Sequence, residues 1–341
     1  MSAKRFWGWQ DLKHVIRTEP KVECPVLGCT TEVERRQRKH GLRQYQYFCQ
    51  QHGIYISPTT FEYKDEADNL LWHHPDDLSR LAEIKRVKAE VRRLGRERSE
   101  DAVTWNVFRL LENQNHLSGV CESMICPRGW DHVRLIYWSY DPVQRSAWDM
   151  LLKARVEFGE ADTLELAQGK RVSEPDLIVV GDGALAFVEN KFGSDNDTSG
   201  KGESLLRRLN NPKAYCTGGG QWYDKVFTHD YRSVVSDHKY ELLRFWLLGS
   251  WIAQQHEPRL RFYLVNVVRE GEETDIETKF GDHIRQDDQK RFVRLTWEDI
   301  QGYVVANATQ DEEKDTLLTY FSDKTMGYPG GKLVRAFSVG Q

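Results

Sequence analysis

The stretch that decides the fold of this chain is Ser173-Glu-Pro-Asp-Leu-Ile-Val-Val-Gly-Asp-Gly-Ala-Leu-Ala-Phe-Val-Glu-Asn-Lys-Phe-Gly193. It holds two apolar runs, residues 177–180 and 184–188, on either side of the cluster Gly181-Asp182-Gly183. Short apolar runs separated by such a cluster are typical of a β-hairpin. We therefore predict a hairpin whose turn lies at residues 181–183.

Ionisable residues lie at the open end of this predicted hairpin. Asp176 opens the first strand, and Glu189 and Lys191 close the second. In an antiparallel pair the start of one strand lies beside the end of the other, and residues two apart share a face. Neighbouring carboxylates resist joint ionisation unless a cation lies between them, and oxygen ligands suit Mg²⁺. The pattern predicts a Mg²⁺ or Mn²⁺ site beside a lysine, which is equipment for hydrolysing phosphodiesters.

Pro175-Asp176, twelve further residues and then Glu189-Asn190-Lys191 resemble the motif of the PD-(D/E)XK nuclease superfamily. The resemblance implies an α/β fold with a restriction-endonuclease-like αβββαβ core, in which helices flank a mixed sheet. It also implies a metal-dependent DNA endonuclease of the kind that serves restriction, phage defence or mobile-element processing. Asp176, Glu189 and the carbonyl of Asn190 would then bind the metal, and Lys191 would position or activate the attacking water.

The first core helix of that superfamily often carries a further carboxylate that reaches the metal. Ser99 is a good N-cap, and Glu100 and Asp101 follow in the first turn. Glu100 is the candidate, with Asp101 second, and both residues equally suit a helix N-terminus without a metal. Glu157 and Glu160 are competitors, because the segment 156–160 reads as part of the first core strand.

The rest of the expected core follows the hairpin. The polar, Gly-rich stretch 193–202 predicts a loop at the rim of the site, and residues 203–210 predict a helix. An apolar helix from Tyr240, with Arg244 one turn on, would pack on the sheet. Strands are expected at 261–268 and 292–296, followed by a helix that Thr296 caps. The resemblance thus covers roughly residues 99–300.

A second motif lies near the N-terminus. Cys24 and Cys29 are followed by Cys49 and His52, and a glycine adjoins each pair. Three thiolates and one imidazole form a closed tetrahedral set that is typical of a structural zinc site. His40 is the alternative fourth ligand. Cys121 and Cys126 repeat the spacing without a glycine or a nearby second pair, so they are interpreted as packing residues.

A basic segment, residues 34–43, joins the two halves of the predicted zinc site and contains five Lys and Arg residues. It suits either phosphate contacts with DNA or a solvated hairpin tip, and the zinc module could equally bind a protein. Residues 76–98 predict an amphipathic helix whose opposite face is basic. We therefore expect a zinc-ribbon-like module at 1–75, a connecting helix at 76–98 and a nuclease-like domain at 99–341.

Composition limits the class of protein. The net charge is −4, which argues against a uniformly basic nucleic-acid binder, but residues 1–98 carry +5 and the remainder −9. Apolar runs are too short to span a bilayer, and no export signal follows the first basic residues. These features predict a cytoplasmic protein with reduced cysteines that binds DNA, with homodimer formation left open. The alternative is an inactive nuclease-fold module that only binds DNA or protein.

Overall fold

The computed structural model describes residues 7–37, 41–87, 94–160 and 173–339. The chain divides into two compact units. The first contains Met1–Pro75, Arg92–Leu110 and Trp297–Gln341, and the second contains Asp76–Val91 and Leu111–Thr296. This division differs from the predicted one chiefly because the last 45 residues cluster with the N-terminal module and not with the hairpin.

The elements are named in chain order. The strands are β1 (Lys21–Glu23), β2 (Glu32–Glu34), β3 (Phe48–Cys49), β4 (Ile54–Ile56), β5 (Phe61–Tyr63), β6 (Arg134–Tyr137), β7 (Tyr140–Asp141), β8 (Ser146–Ala147), β9 (Leu177–Val180), β10 (Ala184–Asn190), β11 (Arg261–Val268), β12 (Lys290–Thr296), β13 (Thr325–Gly327) and β14 (Val334–Arg335). The α-helices are α1 (Pro75–Val87), α2 (Glu100–Asn113), α3 (Leu117–Met124), α4 (Asp149–Glu157), α5 (Glu203–Asn210), α6 (Gly218–Val226), α7 (Tyr231–Ser236), α8 (Tyr240–Gln255), α9 (Ile276–Gly281), α10 (Trp297–Asn307) and α11 (Glu312–Asp323). Within the described ranges, none of these helices has the length and apolar character that a membrane crossing requires.

A buried ion pair explains why the C-terminal segment belongs to the first unit. Glu97 and Lys324 are both fully buried, and their charged atoms are 3.0 Å apart. Trp9 donates its indole N–H to the same carboxylate at 3.0 Å, and the Thr325 hydroxyl donates to its other oxygen at 3.0 Å. A buried charge is tolerated only with such partners, so the network holds residues 9, 97 and 324 together. No local pattern in the sequence predicts a pairing between residues so far apart in the chain.

The second unit is built on one mixed sheet. Its seven strands in the described residues follow the order β12-β11-β10-β9-β6-β7-β8. Strand β9 lies between β6 and β10 and is antiparallel to both, whereas β11 is parallel to β10 and β12 is parallel to β11. Helices flank the sheet, so the predicted α/β class with a mixed, helix-flanked sheet is confirmed.

The predicted hairpin is present as β9 and β10, with Leu177 opposite Val188 and Val180 opposite Leu185. Its turn needs glycine because of a close approach: a Cβ on Gly181 would lie 2.4 Å from the carbonyl oxygen of Gly129. Strand β10 is longer than predicted, reaching Asn190, and all seven of its residues are buried. Strands on both sides and packing on both faces account for the unbroken apolar run.

One face of the sheet carries most of the core and also sets the place of the site. Ile178, Leu185, Phe187 and Phe262 lie on this face and pack against α8 in a single apolar cluster. Because side chains alternate along a strand, Asp176, Glu189 and Lys191 have the same parity as these residues. They therefore lie on the α8 face, just beyond the end of its apolar part.

One sequence expectation needs adjustment. The segment 156–160 is not strand, because α4 continues to Glu157. Helix α1 is described over Pro75–Val87, and the predicted basic and apolar positions Lys88, Val91, Arg92 and Arg93 lie outside the described residues. The predicted helices at 203–210 and from Tyr240 and the strand at 261–268 are confirmed.

Candidate active site and metal centre

Asp176, Glu189 and Lys191 come together at the open end of the β9–β10 hairpin. The Lys191 ammonium lies 2.5 Å from Glu189 Oε1. Asp176 Oδ2 accepts a hydrogen bond of 2.8 Å from the backbone N–H of Asn190, the residue that follows Glu189. This bond places the Asp176 carboxylate at the end of β10, beside the other two side chains.

The Glu189 carboxyl is deeply buried and has few polar partners to offset the cost of burying its charge. It is 4% exposed, and its Oε2 has no hydrogen-bond partner among the described residues. Burial, together with the charges of Asp176 and Glu241, holds its pKa well above the ordinary 4.5, although the Lys191 ammonium opposes the shift. An unpaired carboxylate oxygen among further oxygen donors suits a hard divalent cation such as Mg²⁺. The residues of the second unit thus fit the predicted ion.

A third carboxylate, that of Glu241, adjoins the site and was missed by the sequence analysis. It lies in the first turn of α8, with Oε2 3.7 Å from the Lys191 ammonium and with a hydrogen bond from the Ser173 hydroxyl. The neighbouring Tyr240 and Arg244 drew attention only as a pair one turn apart. The acid itself carried no signal, because α5, α6 and α7 separate the start of α8 from the hairpin in the chain.

The Gly-rich loop after the hairpin holds the start of α8 in place. Thr198 Oγ1 accepts the Glu241 N–H at 2.9 Å, and Ser199 Oγ accepts the Tyr240 N–H at 3.3 Å. Two backbone donors that a helix start leaves unpaired are thereby satisfied. Arg208 of α5 donates to the Thr198 carbonyl and lies 4.3 Å from the Tyr240 ring centre. The loop therefore fixes the position of Glu241 relative to Lys191.

Glu160 has a structural partner set. Arg244 is 3% exposed and donates to both carboxylate oxygens of Glu160, at 2.6 and 2.8 Å. Arg155 lies 3.7 Å away, and the Tyr215 hydroxyl donates at 2.9 Å. These contacts account for Glu160 and Arg244 without a metal or substrate. Glu157 accepts the Gly219 N–H at 2.7 Å.

The Glu160 network predicts a pH-dependent contribution to stability. Burial alone would raise the pKa of Glu160, but Arg244 and Arg155 hold it below 4.5. A lowered carboxyl pKa stabilises the folded state above the unfolded value, and this stability is lost as pH falls through the folded pKa. We expect Glu160→Gln to lower the free energy of unfolding by about 3–5 kcal/mol at neutral pH, because the buried guanidinium charge would lose its negative partner. The difference in free energy of unfolding between this variant and the unchanged protein, measured by urea unfolding, should become smaller below pH 4.5.

The exposed Glu203 of α5 offers the matched control for that measurement. Glu203→Gln should change the free energy of unfolding by no more than about 0.5 kcal/mol at either pH. A Glu160→Gln cost that stayed constant from neutral to acidic pH would show that its charge is not what stabilises the fold.

Glu100 lies in the first unit, at the start of α2 and half-buried, and Asp101 follows it. The predicted cap is present, because Ser99 Oγ accepts the Ala102 N–H at 3.1 Å. A helix start accounts for both acids. Metal binding by Glu100 stays a prediction, and the site described above is formed by the second unit alone.

The four predicted zinc ligands form one cluster in the first unit. The ligand atoms of Cys24, Cys29, Cys49 and His52 all lie within 4.8 Å of one another. His52 Nδ1 is 3.5 Å from the sulfurs of Cys24 and Cys49, and the sulfurs of Cys29 and Cys49 are 3.9 Å apart. Zinc–sulfur bonds of about 2.3 Å in a tetrahedron would place two sulfurs about 3.8 Å apart. The cluster could therefore hold a metal such as zinc.

Backbone turns and electrostatics both suit that cluster. Gly28 and Gly53, which adjoin Cys29 and His52, have φ of +72° and +66°, a region that favours glycine. Hydrogen bonds from Cys24 and His52 lower the pKa of Cys49 to about 4, whereas that of Cys24 is raised by its contact with Cys49 and by burial. A bound cation would allow all three thiols to ionise. The alternative ligand His40 lies outside the described residues.

Comparison with known proteins finds no matching family model, no similar curated protein and no similar solved structure.

Proposed function

We propose that the protein is a metal-dependent nuclease that hydrolyses phosphodiester bonds in DNA. One observation carries the proposal: Asp176, Glu189 and Lys191 meet at one end of the central hairpin, where Glu189 Oε2 has no hydrogen-bond partner among the described residues. Like charges in a buried space destabilise a fold, and a purely structural sheet end has no need of them. Such sites are typical of function.

The arrangement of the sheet supports the same reading. In chain order, β6, β9 and β10 are followed by α8 and then by β11, which is parallel to β10. This order agrees with the αβββαβ core that the resemblance implies, with β7, β8 and α4 intervening after β6 and with α5, α6 and α7 intervening after β10.

Each residue has a role that its surroundings favour. Asp176, Glu189 and the carbonyl of Asn190 would hold Mg²⁺, which when bound would neutralise phosphate charge and acidify a water molecule. Lys191 lies between Glu189 and Glu241, so its ammonium is held at the site for positioning the attacking water. With Glu189 as a metal ligand, Glu241 would balance the charge of the lysine.

The proposal is tested by nicking of supercoiled plasmid DNA. We expect nicking with Mg²⁺ or Mn²⁺ and none when a chelator removes them, because the buried carboxylates need a cation to bind phosphate. Ca²⁺ serves as a control, since its looser coordination should support DNA binding with little cleavage. Equal nicking in chelator and in Mg²⁺ would contradict the proposal and leave the binding-module alternative.

A further inference from the structure

The three-stranded sheet of the first unit has one covered face and one open face. Cys49, Ile54 and Tyr63 are cross-strand neighbours on the covered face, which Trp7 closes by stacking on Tyr63 at 5.7 Å. The open face carries Phe48 and Tyr55, which lie directly opposite each other and are half-buried. Nothing else among the described residues stacks on these two rings.

The rings on this open face are arranged for further stacking. The Phe48 and Tyr55 ring centres are 4.7 Å apart with an interplanar angle of 39°. Tyr45, in the turn that leads into β3, is 79% exposed, and Gln50 donates a hydrogen bond to its hydroxyl. Apolar rings clustered at a surface and rimmed by polar groups mark interaction sites. Aromatic faces of this kind accept unpaired bases by stacking.

Positively charged side chains lie beside the rings. In sequence, residues 34–66 contain six Lys and Arg residues and four acids, a net charge of +2, and two of the six, Arg38 and Lys39, lie outside the described residues. Lys64 lies 5.7 Å from the Phe48 ring centre. Arg43 and Arg96 both pair with Glu62, whose own side chain is 8% exposed, while theirs remain 46% and 47% exposed. Glu66 also lies near Arg43.

We propose that the open face of β3–β5 binds single-stranded nucleic acid. Unpaired bases stack on Phe48, Tyr55 and Tyr45, and phosphates contact Lys64 and Arg43. A duplex hides its base faces, so stacking favours the single strand, whereas charge alone would serve both forms. The surface lies in the first unit, and its binding does not require the proposed nuclease activity of the second.

The test uses the full chain, with no added divalent metal, and fluorescence anisotropy of labelled oligonucleotides of about 16 nucleotides. Oligo-dT and oligo-rU are compared with a DNA duplex of the same length. We expect both single strands to bind more tightly than the duplex. Phe48→Leu and Tyr55→Leu should each weaken single-strand binding about tenfold, since one stacked base contributes that order of affinity.

The matched control is Trp222→Leu, which removes a half-buried ring with a lysine, Lys225, 5.5 Å from its centre. It should leave binding unchanged. Lys64→Ala should reduce the slope of log affinity against log salt by about 0.7, the value for one phosphate contact on a single strand. Unchanged zinc content in the variants shows that the module is still folded.

Three results would overturn the inference. The first is single-strand affinity that survives Phe48→Leu and Tyr55→Leu, and the second is duplex binding as tight as single-strand binding. The third is displacement of oligo-dT by polyglutamate at equal charge concentration, which would indicate an acidic protein as the partner. Failure of plasmid nicking bears on the second unit alone, so the two proposals fail separately.

Discussion

Lys191→Ala is expected to lower Mg²⁺-dependent nicking at least about a hundredfold, because positioned proton-transfer groups contribute factors of that order and more. The Lys191 side chain is 9% exposed and lies between the carboxylates of Glu189 and Glu241. Alanine removes the ammonium that would position the attacking water. Asp176→Asn should cause a loss of similar size by weakening the metal site, and extra Mn²⁺ should partly restore it.

The measurement is initial nicking rate under saturating metal, with circular dichroism to verify folding. Lys153, exposed on α4 of the same unit, provides the matched control, and Lys153→Ala should nick at the rate of the unchanged protein. Wild-type rates for folded Lys191→Ala and for folded Asp176→Asn would end the enzymatic proposal. A loss of nicking activity in Lys191→Ala alone would support the role of the lysine and show that Asp176 is not a metal ligand.

Cys49→Ser is expected to release nearly all bound zinc, from about one equivalent per chain, because serine is a poor ligand in a closed thiolate site. Cys49 is fully buried, with its sulfur 3.9 Å from that of Cys29 and 3.5 Å from His52 Nδ1. The four ligands join two separate turns of the chain, so the metal would contribute folding free energy to the module. Its thermal midpoint should fall by at least about 10 °C.

Metal analysis of purified protein and differential scanning calorimetry measure these two effects. Cys216, a half-buried cysteine of the second unit, is the matched control, and Cys216→Ser should keep its zinc. Zinc content that is unchanged in Cys49→Ser would reject the ligand set. Zinc loss without a change in the thermal midpoint would show that the metal is bound but does not stabilise the module.

Local patterns predicted the parts of the structure that depend on neighbours in the chain. The hairpin at 177–190 follows from apolar runs around a glycine turn, and strand alternation already places Glu189 and Lys191 on one face. The zinc-ligand cluster is similarly local, because each half is a tight turn and only the pairing of the halves is long-range. The segment 156–160 was misread because a short apolar stretch at a helix end resembles a strand.

Glu241 shows what local patterns leave out. Its approach to Lys191 depends on the packing of α8 against Phe187 and Phe262 and on the caps from Thr198 and Ser199. The two caps join residues that are 41 and 43 positions apart in the chain, and no spacing rule connects them. Glu160 could be mistaken for a metal ligand for the same reason, since its partner Arg244 is 84 residues away.

The amino-acid sequence by itself determined the hairpin, the face on which its ionisable residues lie and the four-residue ligand cluster, because alternation and turn chemistry act over a few residues. Only the tertiary structure decided that Glu241 joins the site, that Arg244 neutralises Glu160, and that the C-terminal segment belongs with the N-terminal module through Glu97 and Lys324. Burial and distance in the folded protein determine which buried charges pair, and neither quantity can be read from the order of the residues.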